Sequence, residues 1–197
     1  MGRILLIGMY IACEVIANIT ASKPVEVFGL VAPGGVFIYA LTFTLVDLIN
    51  ERLGKTGARF VVYAAFAANL LLALYATLIV ALPSPAYFTQ QDAIAAVLGS
   101  TPRIVGASLA AYLVSSLIDV EIFARWKKRM GGEKKWMRVV ASNTVSTAVD
   151  SALFVTVAFG GVLPLLPLML GQYAIKMAVT AVSVPLIYAS KYVSAGE

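Results

Sequence analysis

From Phe60 to Leu82 the chain runs without a single charged side chain. As a helix rising about 1.5 Å per residue, that run is long enough to cross a hydrocarbon core about 30 Å thick. Lipid offers no hydrogen bonds, so each backbone N–H and C=O in it must be paired within the segment, which selects a helix. Five more apolar runs can be placed, at about residues 4–20, 35–51, 103–123, 138–160 and 165–190. The expected fold class is an all-α membrane protein with six transmembrane helices, residues 1–197 forming a single transmembrane domain. The connections are short and carry the turn signals Ala32-Pro-Gly-Gly35, Pro83-Ser-Pro85 and Pro164-Leu-Leu-Pro167. Residues 86–99 are too polar to span, and Gln91 to Leu98 reads as a short helix lying on the surface.

Charge fixes the orientation. Of the 15 Lys and Arg residues, Arg3, Arg52, Lys55, Arg59, Lys191 and the seven from Arg125 to Arg138 fall on one side of a six-span chain. Lys23 and Arg103 fall on the other, and Lys176 lies inside a span. The positive-inside rule then puts both termini in the cytoplasm. The basic run Arg125–Lys135 fits a loop held to anionic headgroups, with Trp126 and Trp136 as interfacial aromatic anchors. The net charge of +5 therefore does not indicate nucleic acid. The chain has no histidine, which excludes histidine-based catalysis, proton relays and zinc sites. Its one cysteine, Cys13, has no internal disulfide partner and reads as a small residue of the first span. No catalytic residues, metal ligands or cofactors are expected.

The chemistry lies in the polar residues that interrupt the spans. In the fifth run Asn143, Ser146 and Asp150 recur at i, i+3 and i+7, one face of a helix. Asp150 lies roughly 18 Å from Arg138 along that helix, close to mid-membrane, where a carboxylate costs on the order of 2.5–3.5 kcal/mol. In the sixth run Gln172, Lys176, Thr180 and Ser183 form a second stripe. A short loop makes the two helices antiparallel neighbours, so the stripes are expected to face each other. Asp47 and Glu51 share a face of the second run, and Asp119 follows Ser115 and Ser116 in the fourth. Glu14 is placed near the midplane of the first run, with Asn18 one turn further out. Asn69 reads as an interhelical hydrogen bond. Ionisable residues at such depths mark a pathway or site by default. Carboxylates, amides, hydroxyls, a cation and the aromatics Tyr39, Phe43, Tyr112, Phe154 and Tyr173 suit a flat, polar, small heterocycle. An amino acid or a sugar fits this inventory nearly as well.

Several blocks resemble the YhhQ-type queuosine precursor transporters, also called the vitamin uptake transporter family. They are Asn18-Ile-Thr-Ala-Ser-Lys23, Thr44-Leu-Val-Asp47-Leu-Ile-Asn-Glu51-Arg-Leu-Gly54 with Ala58-Arg59, and Leu117-Ile-Asp119-Val-Glu-Ile-Phe123. Arg138, Ser142-Asn143-Thr144-Val-Ser146, Asp150-Ser151 and Gln172-Tyr-Ala-Ile-Lys176 complete the set. The resemblance implies a bundle like the substrate-binding S-components of energy-coupling-factor transporters. It also implies uptake of 7-deazaguanine precursors of a modified tRNA base, preQ0 or preQ1, across the cell membrane. The matched substrate-binding positions are Asn18, Asp47, Glu51, Asp119, Asn143, Ser146, Asp150, Gln172 and Lys176. Glu14 stands outside the family pattern, and Thr147 stands where many relatives carry glutamine or another polar residue. The expected partners are the small-molecule substrate and the lipid bilayer, not nucleic acid. A homodimer stays open, and a coupling module is not expected. The alternative is an S-component that works with an energising partner; an intramembrane enzyme is disfavoured because no nucleophile–base pair is in view. A reporter fused after Glu197 is expected to be active only inside the cell; activity only outside would overturn the orientation.

Overall fold

The computed structural model describes residues 2–130 and 135–194. Inside these segments the side chains of 43–44, 47, 50–51, 55, 116–117, 119–121, 123–130, 135–143 and 182–194 lie outside the description. The elements run α1 (Gly2–Thr20), β1 (Pro24–Val27), β2 (Leu30–Pro33), α2 (Val36–Ala81), α3 (Gln91–Leu98), α4 (Thr101–Met130), α5 (Lys135–Phe159) and α6 (Leu165–Ser194). The apolar runs are helical, and α3 stands where the sequence placed a surface helix, with no buried residue. Among the described residues Gly2–Thr20, Thr56–Ala81 and Gln91–Ser115 are long and apolar enough to cross a membrane. Thr144–Phe159 and Leu165–Ala181 are shorter apolar helices.

Two departures from the expected outline shape the molecule. The second and third runs form one helical element broken at Gly54, whose φ of 69° and ψ of 174° are open to glycine and strained for other residues. The arms on either side fold onto each other. Ile49 before the break shares a buried cluster with Ala58, Val61 and Ala65 after it, and Tyr10 of α1 packs there too. A straight helix would hold Ile49 and Ala65 about 24 Å apart.

The second departure is a two-stranded hairpin in a chain read as all-α. β1 and β2 pair antiparallel with Val27 opposite Leu30. The two-residue turn between them has both residues at positive φ, Phe28 at 52° and Gly29 at 77°, the backbone of a type I′ turn. Phe28 is fully exposed at its tip, while Ala32 is buried. β2 lies across α6 at Gly171, where a Cβ would stand 1.9 Å from the carbonyl oxygen of Val31. The hairpin returns to α1 at Gly35, where a Cβ would stand 2.1 Å from the Ala17 carbonyl oxygen. Both contacts are backbone against backbone, which no side-chain rotation relieves.

The main core gathers Ala21, Ile104, Ala107, Val155, Ala158, Phe159 and Leu168, with Val31 of the hairpin packed against it. Arg103 secures the same end of the bundle. Its Nε donates to the Val157 carbonyl at 2.6 Å and its Nη2 to the Gly160 carbonyl at 2.7 Å. Val157 lies in the last turn of α5 and Gly160 follows its last residue, where carbonyls lack partners further along the helix, and a cation there also complements the helix dipole. Asn18 Nδ2 donates to Asn69 Oδ1 at 2.7 Å, joining α1 to the second arm of α2 by the interhelical bond expected of Asn69. Gly171→Ala is expected to destabilise the protein by about 1–3 kcal/mol through overpacking. Gly106→Ala, with open space around it, is expected to be near neutral, and thermal denaturation in detergent compares the two.

Candidate functional site

A pocket whose free space, open solvent at its mouth included, comes to about 400 Å³ opens where α1, the hairpin, α2, α4, α5 and α6 meet. It exists because small residues face it from three places: Ala17 on α1 with Ala21 just past its end, Gly35 ahead of α2, and Ser108 and Ala111 on α4. Pro33 of β2 forms part of its wall, so the hairpin covers one side. The polar lining is Asn18, Tyr39, Asp150, Gln172 and Lys176. Phe154, one turn beyond Asp150 on α5, adds an aromatic ring. It meets Phe159 edge-on at 5.8 Å and an interplanar angle of 82°. That contact, with Phe159 buried in the core, holds the Phe154 ring in place.

Asp150 and Lys176 are paired, as the two stripes led one to expect. The ammonium donates to Asp150 Oδ2, and Ser115 Oγ has two acceptors for its one proton, Asp150 Oδ1 at 3.3 Å and the Tyr112 carbonyl at 3.2 Å. Lys176 is nearly fully buried, at 6% side-chain exposure, while Asp150 keeps 15%. The ammonium also lies 5.0 Å above the centre of the Tyr39 ring, a cation–π contact strengthened by poor solvation. Asp150 thus keeps some access to the pocket while Lys176 is sealed behind it.

Gln172 stands one turn from Lys176 on α6 and is 2% exposed. Its Oε1 has no hydrogen-bond partner. A buried acceptor left unmade costs about 1–3 kcal/mol. Among the described residues Thr101 Oγ1 and Ser151 Oγ share that condition, but only Gln172 lines the pocket. The pocket therefore sets a carboxylate held by Lys176 beside an amide carbonyl that has no donor, next to the Phe154 ring.

Of the nine positions expected from sequence, Asn18, Asp150, Gln172 and Lys176 come together here. The Asn18 amide nitrogen is engaged, by Asn69 and by the Glu14 carbonyl at 3.2 Å. Ser146 is half-buried and does not line the pocket. The side chains of Asp47, Glu51, Asp119 and Asn143 lie outside the described residues, as does that of Phe43. Of the other expected aromatics, Tyr39 joins the lining with Phe154, whereas Tyr112 and Tyr173 do not. Pro33, Ser108 and Ala111 were not anticipated. Their signal was faint, since small residues on apolar helices are common and the hairpin was unseen.

Residues 33–190 match the family described as "Putative vitamin uptake transporter". The chain belongs to this vitamin uptake transporter family. It is 31% identical over 195 residues to a Bacillus subtilis (strain 168) protein named "Probable queuosine precursor transporter", covering 97% of this chain and 84% of that one. No solved structure matches it. Members of the family are transporters and not enzymes, so the pocket is judged by what it binds and releases. In this transporter Lys176→Met leaves buried carboxylate charge uncompensated and is expected to cost about 3–5 kcal/mol. Adding Asp150→Asn is expected to restore thermal stability but not uptake of a labelled substrate. Normal uptake by the double variant would make the pair structural glue.

Proposed function

We propose that this protein imports queuosine precursors, 7-deazaguanine bases of the preQ0 or preQ1 kind, and binds them in the pocket between α5 and α6. The observation that carries the reading is the unpartnered Oε1 of Gln172, which lines the same pocket as the Asp150 carboxylate. A guanine-type edge presents two parallel N–H donors, which a carboxylate accepts as a fork. A further ring N–H on the far side of the base suits a lone amide carbonyl. The Phe154 ring gives the flat heterocycle a stacking face, as aromatics do for bases elsewhere. The relative's name supports the same substrate class.

The accompanying topology is six spans in the cell membrane with both termini cytoplasmic. It rests on the Lys and Arg bias and on the break at Gly54, which turns one long helical element into two arms. Transport proceeds without a coupling module in this proposal, so uptake is expected in a host that lacks one. The direct experiment is a binding titration of the purified protein with preQ0, preQ1, guanine and queuine side by side. One of the two precursors is expected to bind at least about tenfold tighter than queuine, whose added ring must fit under the hairpin. Equal affinity for all four, or none for any, would contradict the assignment.

A further inference from the structure

Asn69 is buried in the second arm of α2 and does not line the pocket. Asn18 of α1, also buried, does. The two side chains are joined end to end. Asn69 Nδ2 donates to the Ala65 carbonyl at 3.0 Å, one turn back on its own helix. A carbonyl only accepts, so the nitrogen end of the Asn69 amide is fixed there and Oδ1 is left to face α1. Asn18 Nδ2 meets that Oδ1 at 2.7 Å and the Glu14 carbonyl at 3.2 Å. Both partners are acceptors, so both hydrogens of the Asn18 amide are spent on the protein. Turned over, the amide would set its oxygen against two acceptor oxygens. Oδ1 is the polar atom of Asn18 that the protein leaves open. Among the described residues no donor reaches it, and it is not one of the atoms sealed away without a partner.

We propose that Asn69 is a positioning residue for substrate: it fixes Asn18 as a hydrogen-bond acceptor, and Asn18 Oδ1 takes an N–H of the bound base. This rests on the substrate reading given above. An amide on a pocket wall can offer a donor or an acceptor, and the two differ by a half-turn about χ2. Here the choice is made outside the pocket, by the Ala65 carbonyl two hydrogen bonds away. The chain Ala65–Asn69–Asn18 carries one polarity from α2 to the pocket wall. Both ends of the Asn69–Asn18 bond are buried, which keeps water from replacing either partner. A base edge that presents N–H groups meets an acceptor held in place. One that presents a lone pair at that spot meets repulsion. Asn69 therefore does more than join α1 to α2; it acts on binding through Asn18 and does not touch the substrate.

The test sets affinity against stability. Asn69→Leu removes the acceptor and frees one Asn18 hydrogen to turn toward the pocket. It is expected to lower the thermal midpoint and to weaken preQ0 or preQ1 about tenfold. Asn69→Asp still accepts from Asn18 in either protonation state, but when ionised it cannot donate to Ala65. It is expected to lower the midpoint as well, yet to bind within about threefold of wild type. Affinity that simply follows stability in these two variants, or that Asn69→Leu leaves unchanged, would overturn the proposal. Asn18→Leu is expected to lose at least as much affinity as Asn69→Leu. Combining the two should cost no more affinity than Asn18→Leu alone, while the midpoint recovers because donor and acceptor leave together. Further loss of affinity in the double variant would show Asn69 acting by another route and would sink the idea. That comparison also decides the matter if Asn69→Leu alone folds poorly. A ligand-free arm follows hydrogen exchange of the Asn18 side-chain amide by NMR in detergent. Exchange is expected to be at least about tenfold faster in Asn69→Leu than in wild type; equal rates would contradict the fixed orientation. If the wild type binds neither base yet exchange shows the difference, the substrate reading fails and Asn69 still fixes an acceptor at the pocket wall.

Discussion

A cation and a carboxylate buried together in an apolar bundle set the terms for everything around them. Neither Asp150 nor Lys176 can be left without the other, because an isolated charge in such surroundings costs several kcal/mol. An apolar pair of similar size would pack at no such cost, so stability alone does not explain the choice. What the pair supplies is an ionised carboxylate held at a pocket wall with its lone pairs ready for donors. Ser115 and Tyr39 are arranged around that one contact.

Room for a ligand comes from omission rather than from special residues. Alanines, one glycine and a serine line the pocket where larger side chains would fill it. Glycine also allows the backbone contacts that fix its rim. At Gly35 and Gly171 the chain approaches a neighbouring carbonyl more closely than any side chain permits. These two contacts hold the hairpin against α1 and α6, so the cover over the pocket is positioned by backbone. The bundle elsewhere is closed by ordinary apolar packing and by Arg103 at the end of α5.

How much of this could be read beforehand depended on the physical signal each part leaves. The Asp150–Lys176 pair was legible because polar residues recurring at helical spacing in apolar runs declare a face. Antiparallel connection of α5 and α6 then makes those faces meet. Helix positions were legible from hydropathy, and α3 from lying in a stretch too polar to span. The hairpin was not: its strands have four residues each and its turn is Phe28-Gly29, without the Asn-Gly or Asp-Gly pair that announces such turns. The unsatisfied Oε1 of Gln172 was invisible too, since satisfaction of a polar atom is a property of packing.

The central claim is that Gln172 is left unsatisfied for the sake of a ligand. Its most direct test is thermal denaturation of Gln172→Leu with and without preQ0 and preQ1. Removing an acceptor that nothing in the empty protein satisfies should leave the midpoint unchanged or raised. The stabilisation that ligand gives the wild type by binding the folded state should then be lost. A variant that is less stable when empty, yet still gains the full ligand-induced shift, would contradict the account.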